Sequence, residues 1–128
     1  MACPFFRYTR QTIAAFADPA NYPMNFHCAV GRDRTGTTSF LILGLLGVDE
    51  ETLIHEHYVS FLSEQGSNDV DEPDEFNSHI ANIHGLIDGL ARYSSVSTPL
   101  QEKIEAYLLR IGVTEAEIQS IRSILLEE

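Results

Sequence analysis

Cys28 is followed by Arg34 six positions later, in the run Phe-His-Cys-Ala-Val-Gly-Arg-Asp-Arg-Thr-Gly-Thr of residues 26–37. A thiol near its reference pKa of ~8.5 is mostly protonated at neutral pH, so a nucleophilic Cys28 has to be activated. This segment offers three activators: backbone N–H groups of residues 29–34, the positive end of a helix beginning near Thr35, and neighbouring His27. The same field suits a phosphate dianion. A five-residue gap lets the loop close into a ring of amides, with Ala29, Val30, Gly31, Arg32, Asp33 and Arg34 as the phosphate-binding positions. Arg34 then returns beside Cys28, where its planar fork can pair two phosphoryl oxygens. The chemistry this predicts is attack of Cys28 on phosphorus through a phosphocysteine, with Arg34 holding the charge and no metal or cofactor.

Neighbouring positions supply the rest of the machinery. Thr35 can steer its hydroxyl toward the sulfur as the thiolate leaves in the second step, and Gly36 lets the backbone approach a ligand closely. Arg32 is either a second phosphate contact or a solvated loop charge. Asp33 is either the acid that protonates the leaving group, or it braces the loop by hydrogen bonds or pairs with Arg32. The one acid before His27 is Asp18, ten residues ahead of Cys28 and next to Pro19. Cys3 lies near a chain end and reads as a bystander.

Strand, loop and helix should follow in that order to hold such a site. Residues 7–17 place Thr9, Ile13, Phe16 and Ala17 on one helical face that ends at Asp18-Pro19, and Met24–Ala29 reads as a strand. The stretch Thr35–Leu46 is apolar nearly all round, which predicts a central helix stopped by Gly47. Asp49 is positioned to cap the next helix, whose stripe runs through Leu53, Ile54, His57, Tyr58, Phe61 and Leu62. His55 and His57 stand two apart and point in different directions, against a shared metal. Glu64 to Glu75 reads as an acidic solvated loop, with a lid beside the site as the alternative. Phe76, Ile80, Ile83, Ile87 and Leu90 mark a further amphipathic helix. Thr98-Pro-Leu-Gln and Thr114-Glu-Ala-Glu are two capping boxes around a closing hairpin that turns at Gly112.

Residues 27–36 resemble the signature of the protein tyrosine phosphatase superfamily, and in particular the bacterial group that carries His-Cys-x-x-Gly-Lys-Asp-Arg-Thr-Gly. Arg32 stands where that group usually has Lys. Leu45-Leu46-Gly47-Val48-Asp49-Glu50-Glu51 and the helix bearing Tyr58 are similar to the segment after the family's loop, and 105–126 to its C-terminal helix pair. The resemblance implies an α/β fold of the tyrosine phosphatase type, in this chain predominantly α-helical with one or two short strands and a central helix after the loop. It also implies proton donation by Asp33, because an acid at this position has that role in the subgroup. Family members carry most of the parallel sheet and an Asp loop upstream of the nucleophile. Only 27 residues precede Cys28 here, so residues 1–128 are expected to form one N-terminally truncated domain, with uncovered core through which copies could associate.

Composition narrows the partners. The formal charge of −11 argues against nucleic acid or an anionic membrane surface, and no apolar run is long enough to span a bilayer. Two cysteines do not make a disulfide framework. The expected location is cytoplasmic, or secreted if a leader precedes Met1. The expected substrate is a phosphorylated protein, phosphotyrosine first, or a small phosphomonoester. A rival cysteine enzyme on the same loop, such as an arsenate reductase, needs redox cysteines that Cys3 supplies poorly. The other rival is a phosphatase half that binds phosphate or a partner without turnover.

Overall fold

The computed structural model describes residues 4–27, 33–65, 85–93 and 98–126, with backbone alone for 4–7, 33, 34, 58–65 and 93. Six α-helices occupy the described residues: α1 (Pro4–Phe16), α2 (Asp33–Leu45), α3 (Glu50–Gln65), α4 (85–90), α5 (Leu100–Arg110) and α6 (Glu115–Leu125). Two 3₁₀ turns, Pro19–Asn21 and Ala91–Tyr93, join them.

The α2 helix is the hub, as its apolar circumference predicts. It buries Phe40, Leu41, Ile42 and Leu45 and packs against α1, α3 and α5. The same core cluster takes in Ile13 and Phe16 of α1, Leu53 of α3, Ile87 and Leu90 of α4, Ile104 and Leu108 of α5, and Ile118 and Ile121 of α6. Each such side chain contributes roughly 1.5–3 kcal/mol on full burial. Gly44 sets how closely α2 and α5 approach, because a Cβ there would collide with Cδ1 of Ile104.

The end of α2 shows how sequence and tertiary contacts share one task. A helix leaves its last four carbonyls without intrahelical donors. Leu46 N–H donates to the Ile42 carbonyl, Val48 N–H to Leu43 and Gly47 N–H to Gly44, each at 3.1 Å. The latter two are the paired bonds of a Schellman stop, made possible by Gly47 at φ +102°. The remaining carbonyl, of Leu45, accepts from Gln101 Nε2 at 3.0 Å and from the Arg122 guanidinium at 3.4 Å. Arg122 is held in turn by Glu105 at 3.1 Å.

The α5–α6 hairpin repeats the same stop. Val113 N–H donates to Leu108 at 3.0 Å and Gly112 N–H to Leu109 at 3.2 Å, with Gly112 at φ +106°. The capping box at Thr114 and Glu117 forms as expected, and Asp49 accepts from Thr52 N–H at 3.1 Å. The cap position of α5 falls on Pro99 rather than on the expected Thr98, and a proline has no side-chain acceptor to cap with; Gln101 Nε2 donates to the Leu45 carbonyl.

Three other expectations are revised. The α1 helix begins at Pro4 rather than at residue 7, and α2 begins at Asp33 rather than Thr35. The expected strand Met24–Ala29 is not present over its described part: residues 24–27 have no regular structure and no strand partner among the described residues. A strand is defined by its ladder, and the apolar run alone supplies no neighbour to pair with. Glu64 and Gln65 close α3 instead of opening a loop. The remainder of the acidic stretch to Glu75, and Phe76, Ile80 and Ile83, lie outside the described residues.

Candidate functional site

The chain enters the site from the end of α1. Asp18 accepts from Ala20 N–H at 2.9 Å and so caps the 3₁₀ turn, while Asn21 Nδ2 donates to Ala15 O at 2.9 Å and the Tyr22 hydroxyl to Phe16 O at 2.8 Å. Burial pushes the Tyr22 phenol above its ordinary range. The last two bonds satisfy the carbonyls of Ala15 and Phe16 at the end of α1. Phe26 then sets its ring edge-on against Phe16, centroids 5.2 Å apart at 75°. His27 follows, exposed. Asp18 thus has a structural task at the turn.

Cys28, Ala29, Val30, Gly31 and Arg32 lie outside the described residues. The chain resumes at Asp33, the first residue of α2, so that Asp33, Arg34, Thr35 and Gly36 make up its opening turn. The N–H groups of such a turn have no intrahelical acceptors and carry the positive end of the helix dipole. That is the field an anion needs. Starting two residues earlier than expected places Asp33 and Arg34 on the helix rather than on the approach to it.

Thr35 Oγ1 is buried and has no hydrogen-bond partner among the described residues. An unsatisfied buried hydroxyl costs about 1–3 kcal/mol. Beside it, α2 and α3 enclose a pocket of about 110 Å³ lined by Thr35, Gly36, Ser39 and Phe40 from α2 and by Leu53, Glu56 and His57 from α3. A Cβ on Gly36 would lie 3.5 Å from Nδ1 of His57 and 3.6 Å from its Cε1. The imidazole therefore faces Gly36, with room for a β-carbon at ordinary contact distance between them.

His55 faces elsewhere, toward an open depression with Asp49, Glu50, Glu51, Thr52 and Ile54. Bonds from the Thr52 hydroxyl and backbone hold the Asp49 carboxyl below the usual carboxylate range. No group of three or more His, Cys, Asp or Glu fit to hold a metal occurs among the described residues, and no described helix is long and apolar enough to cross a membrane.

Reasoning from spacing alone assigned His57 to an apolar stripe and gave Ser39 and Glu56 no role. The signal that could have found Ser39 is its spacing from Thr35, i and i+4 on one face of the polar first half of α2.

A family model described as the tyrosine phosphatase family matches residues 6–127. A tyrosine-protein phosphatase of Nostoc commune is 32% identical over 131 aligned positions, covering 93% of this chain and 43% of that protein. The chain thus spans less than half the length of this relative. No solved structure matches it significantly.

Proposed function

The chain belongs to the tyrosine phosphatase family, and from that premise we propose that it is a phosphomonoester hydrolase acting through a phosphocysteine on Cys28. The observation that carries this reading is the run His27-Cys28-x-x-Gly31-x-Asp33-Arg34-Thr35-Gly36 ending in the opening turn of α2. Cys28 attacks phosphorus, and the amides of residues 29–34 with the Arg34 guanidinium neutralise the charge that builds on the equatorial oxygens. Asp33 protonates the leaving oxygen, then takes the proton of the water that hydrolyses the thiophosphate. Thr35, whose buried hydroxyl has no partner among the described residues, donates to the departing thiolate. Asp18 takes no part, since its carboxylate is engaged at the 3₁₀ turn.

The substrate class is a phosphorylated protein, phosphotyrosine first, or a small phosphomonoester, met in the cytoplasm. The alternative reading is a phosphatase half that binds phosphate or a partner without turnover. Hydrolysis of an aryl phosphate by the purified chain separates the two. Turnover that vanishes in Cys28→Ser while phosphate still binds, with both lost in Arg34→Ala, supports the enzyme. Phosphate binding without turnover in the unsubstituted chain supports the binding half. Turnover that survives Cys28→Ser removes the assignment.

A further inference from the structure

The chain has one lysine, Lys103, and at 6% exposure it is the only charged residue buried among the described residues. Burying a lysine stem is ordinary when the ammonium meets an acid or water. The Lys103 side chain has no hydrogen bond or ion pair among the described residues. Its ammonium still touches solvent, since the one fully buried side-chain polar atom without a partner among them is Thr35 Oγ1.

Two exposed arginines share this condition. Arg110 stands seven residues on from Lys103, which puts both on one side of α5, two turns apart. Arg92 belongs to the 3₁₀ turn Ala91–Tyr93, which packs against α5. Neither arginine side chain has an acceptor among the described residues, and Asp88, four residues before Arg92, forms no ion pair with it. Another side of α5 is already engaged, with Gln101 serving Leu45 and Glu105 holding Arg122. Glu102 adjoins Lys103 in sequence and so does not face it on the helix. Three cations without acceptors on neighbouring elements are unexpected in a chain whose acids outnumber its basic residues 19 to 8.

We propose that Arg92, Lys103 and Arg110 form a docking strip for an acidic segment of a partner protein. Charge complementarity selects that occupant. A local patch acts over a Debye length of about 8 Å at physiological salt, a range within which a short run of Asp or Glu side chains fits. A nucleic acid or an anionic membrane extends beyond it, onto a body of formal charge −11, and is repelled. Lys103 gives the strip a fixed point. Because its stem is already held, little side-chain entropy is lost when its ammonium pairs. The strip does not depend on the phosphate-loop reading.

Labelled oligoglutamate is the probe, with oligoglutamine of the same length as the uncharged control. The full chain should bind oligoglutamate alone, with an affinity that falls as salt rises. Lys103→Met keeps the apolar stem and removes the charge. It, Arg92→Gln and Arg110→Gln should each weaken binding about two- to five-fold, the scale of single ion pairs near a surface, and the triple variant about ten-fold or more. Lys103 is the sole lysine, so acetylation by an amine-reactive ester forms amides only there and at the N-terminal amine. Bound oligoglutamate should slow the first and leave the second unchanged. Equal binding by the unsubstituted chain and the triple variant overturns the proposal. If Lys103→Met fails to fold, equal binding by the Arg92→Gln, Arg110→Gln double variant overturns it, since both arginines are exposed and their loss breaks no described contact. Absence of oligoglutamate binding at low salt overturns it too. Tighter binding of single-stranded DNA or of anionic vesicles than of oligoglutamate overturns the choice of an acidic protein segment.

Discussion

Cδ1 of Ile104 occupies the space that a β-carbon on Gly44 would need. The hub helix α2 and the hairpin helix α5 thus meet through a bare backbone on one side and a fully buried isoleucine on the other.

Two effects oppose each other at Gly44, and their sizes decide the outcome. Alanine raises helix propensity by about 1 kcal/mol, while overpacking a tight core costs about 1–3 kcal/mol. Gly44→Ala should therefore lower the stability of the chain by about 1 kcal/mol net. Ile104→Val removes the colliding methyl, so the double variant should be more stable than the sum of the two single losses predicts. Urea titration of the four chains measures this coupling.

Asp33→Asn should slow hydrolysis of esters with poor leaving groups by about 10²-fold or more, the scale of general acid catalysis. Nitrophenyl phosphate should be affected far less, since its leaving group departs without a proton. Comparing both substrates distinguishes acid catalysis from bracing, which would lower the two rates equally.

Thr35→Val keeps the shape of the side chain and removes the buried hydroxyl. Phosphorylation of Cys28 should proceed nearly unchanged while breakdown of the phosphocysteine slows. Rapid-quench kinetics should then show a burst of leaving group ahead of a reduced steady state.

The Asp49 cap of α3 gives stability a pH signature. Thr52 holds this carboxyl below its ordinary value, so the unfolded chain binds the proton more readily than the folded one. The contribution of the cap is fully present above the unfolded carboxylate value of ~3.9 and is lost as pH falls through the lower folded value. Asp49→Asn should differ in stability from the unsubstituted chain at pH 7, and the difference should shrink in acid. Thermal unfolding of both chains from pH 7 downward follows it.

Uncovered apolar surface should show in solution. Tyr8, Phe26, Leu109 and Leu126 are exposed, and residues 24–27 have no strand partner among the described residues. The purified chain should bind a hydrophobic dye or self-associate. A monomer in sedimentation with no dye binding would mark these residues as a sufficient domain.

What the sequence by itself determined is local. Gly47 and Gly112 end their helices because only a residue without a side chain takes φ above +100° easily, as both do. Thr114 and Glu117 close their box from four consecutive residues, and the apolar run from Phe40 to Leu46 makes α2 central because no face of it favours water. The order of nucleophile, arginine and helix is legible for the same reason, since ring closure and dipole act over a few bonds. Tertiary structure decided what depends on partners distant in the chain. Gln101 reads as part of a helix cap, and only the packing of α5 on α2 brings its Nε2 to the Leu45 carbonyl 56 residues away. Met24–Ala29 has the composition of a strand, but its described part, 24–27, found no ladder among the described residues. His57 reads as one member of a stripe until α3 lies against Gly36, because a helical period gives the face of a side chain and not what that face meets.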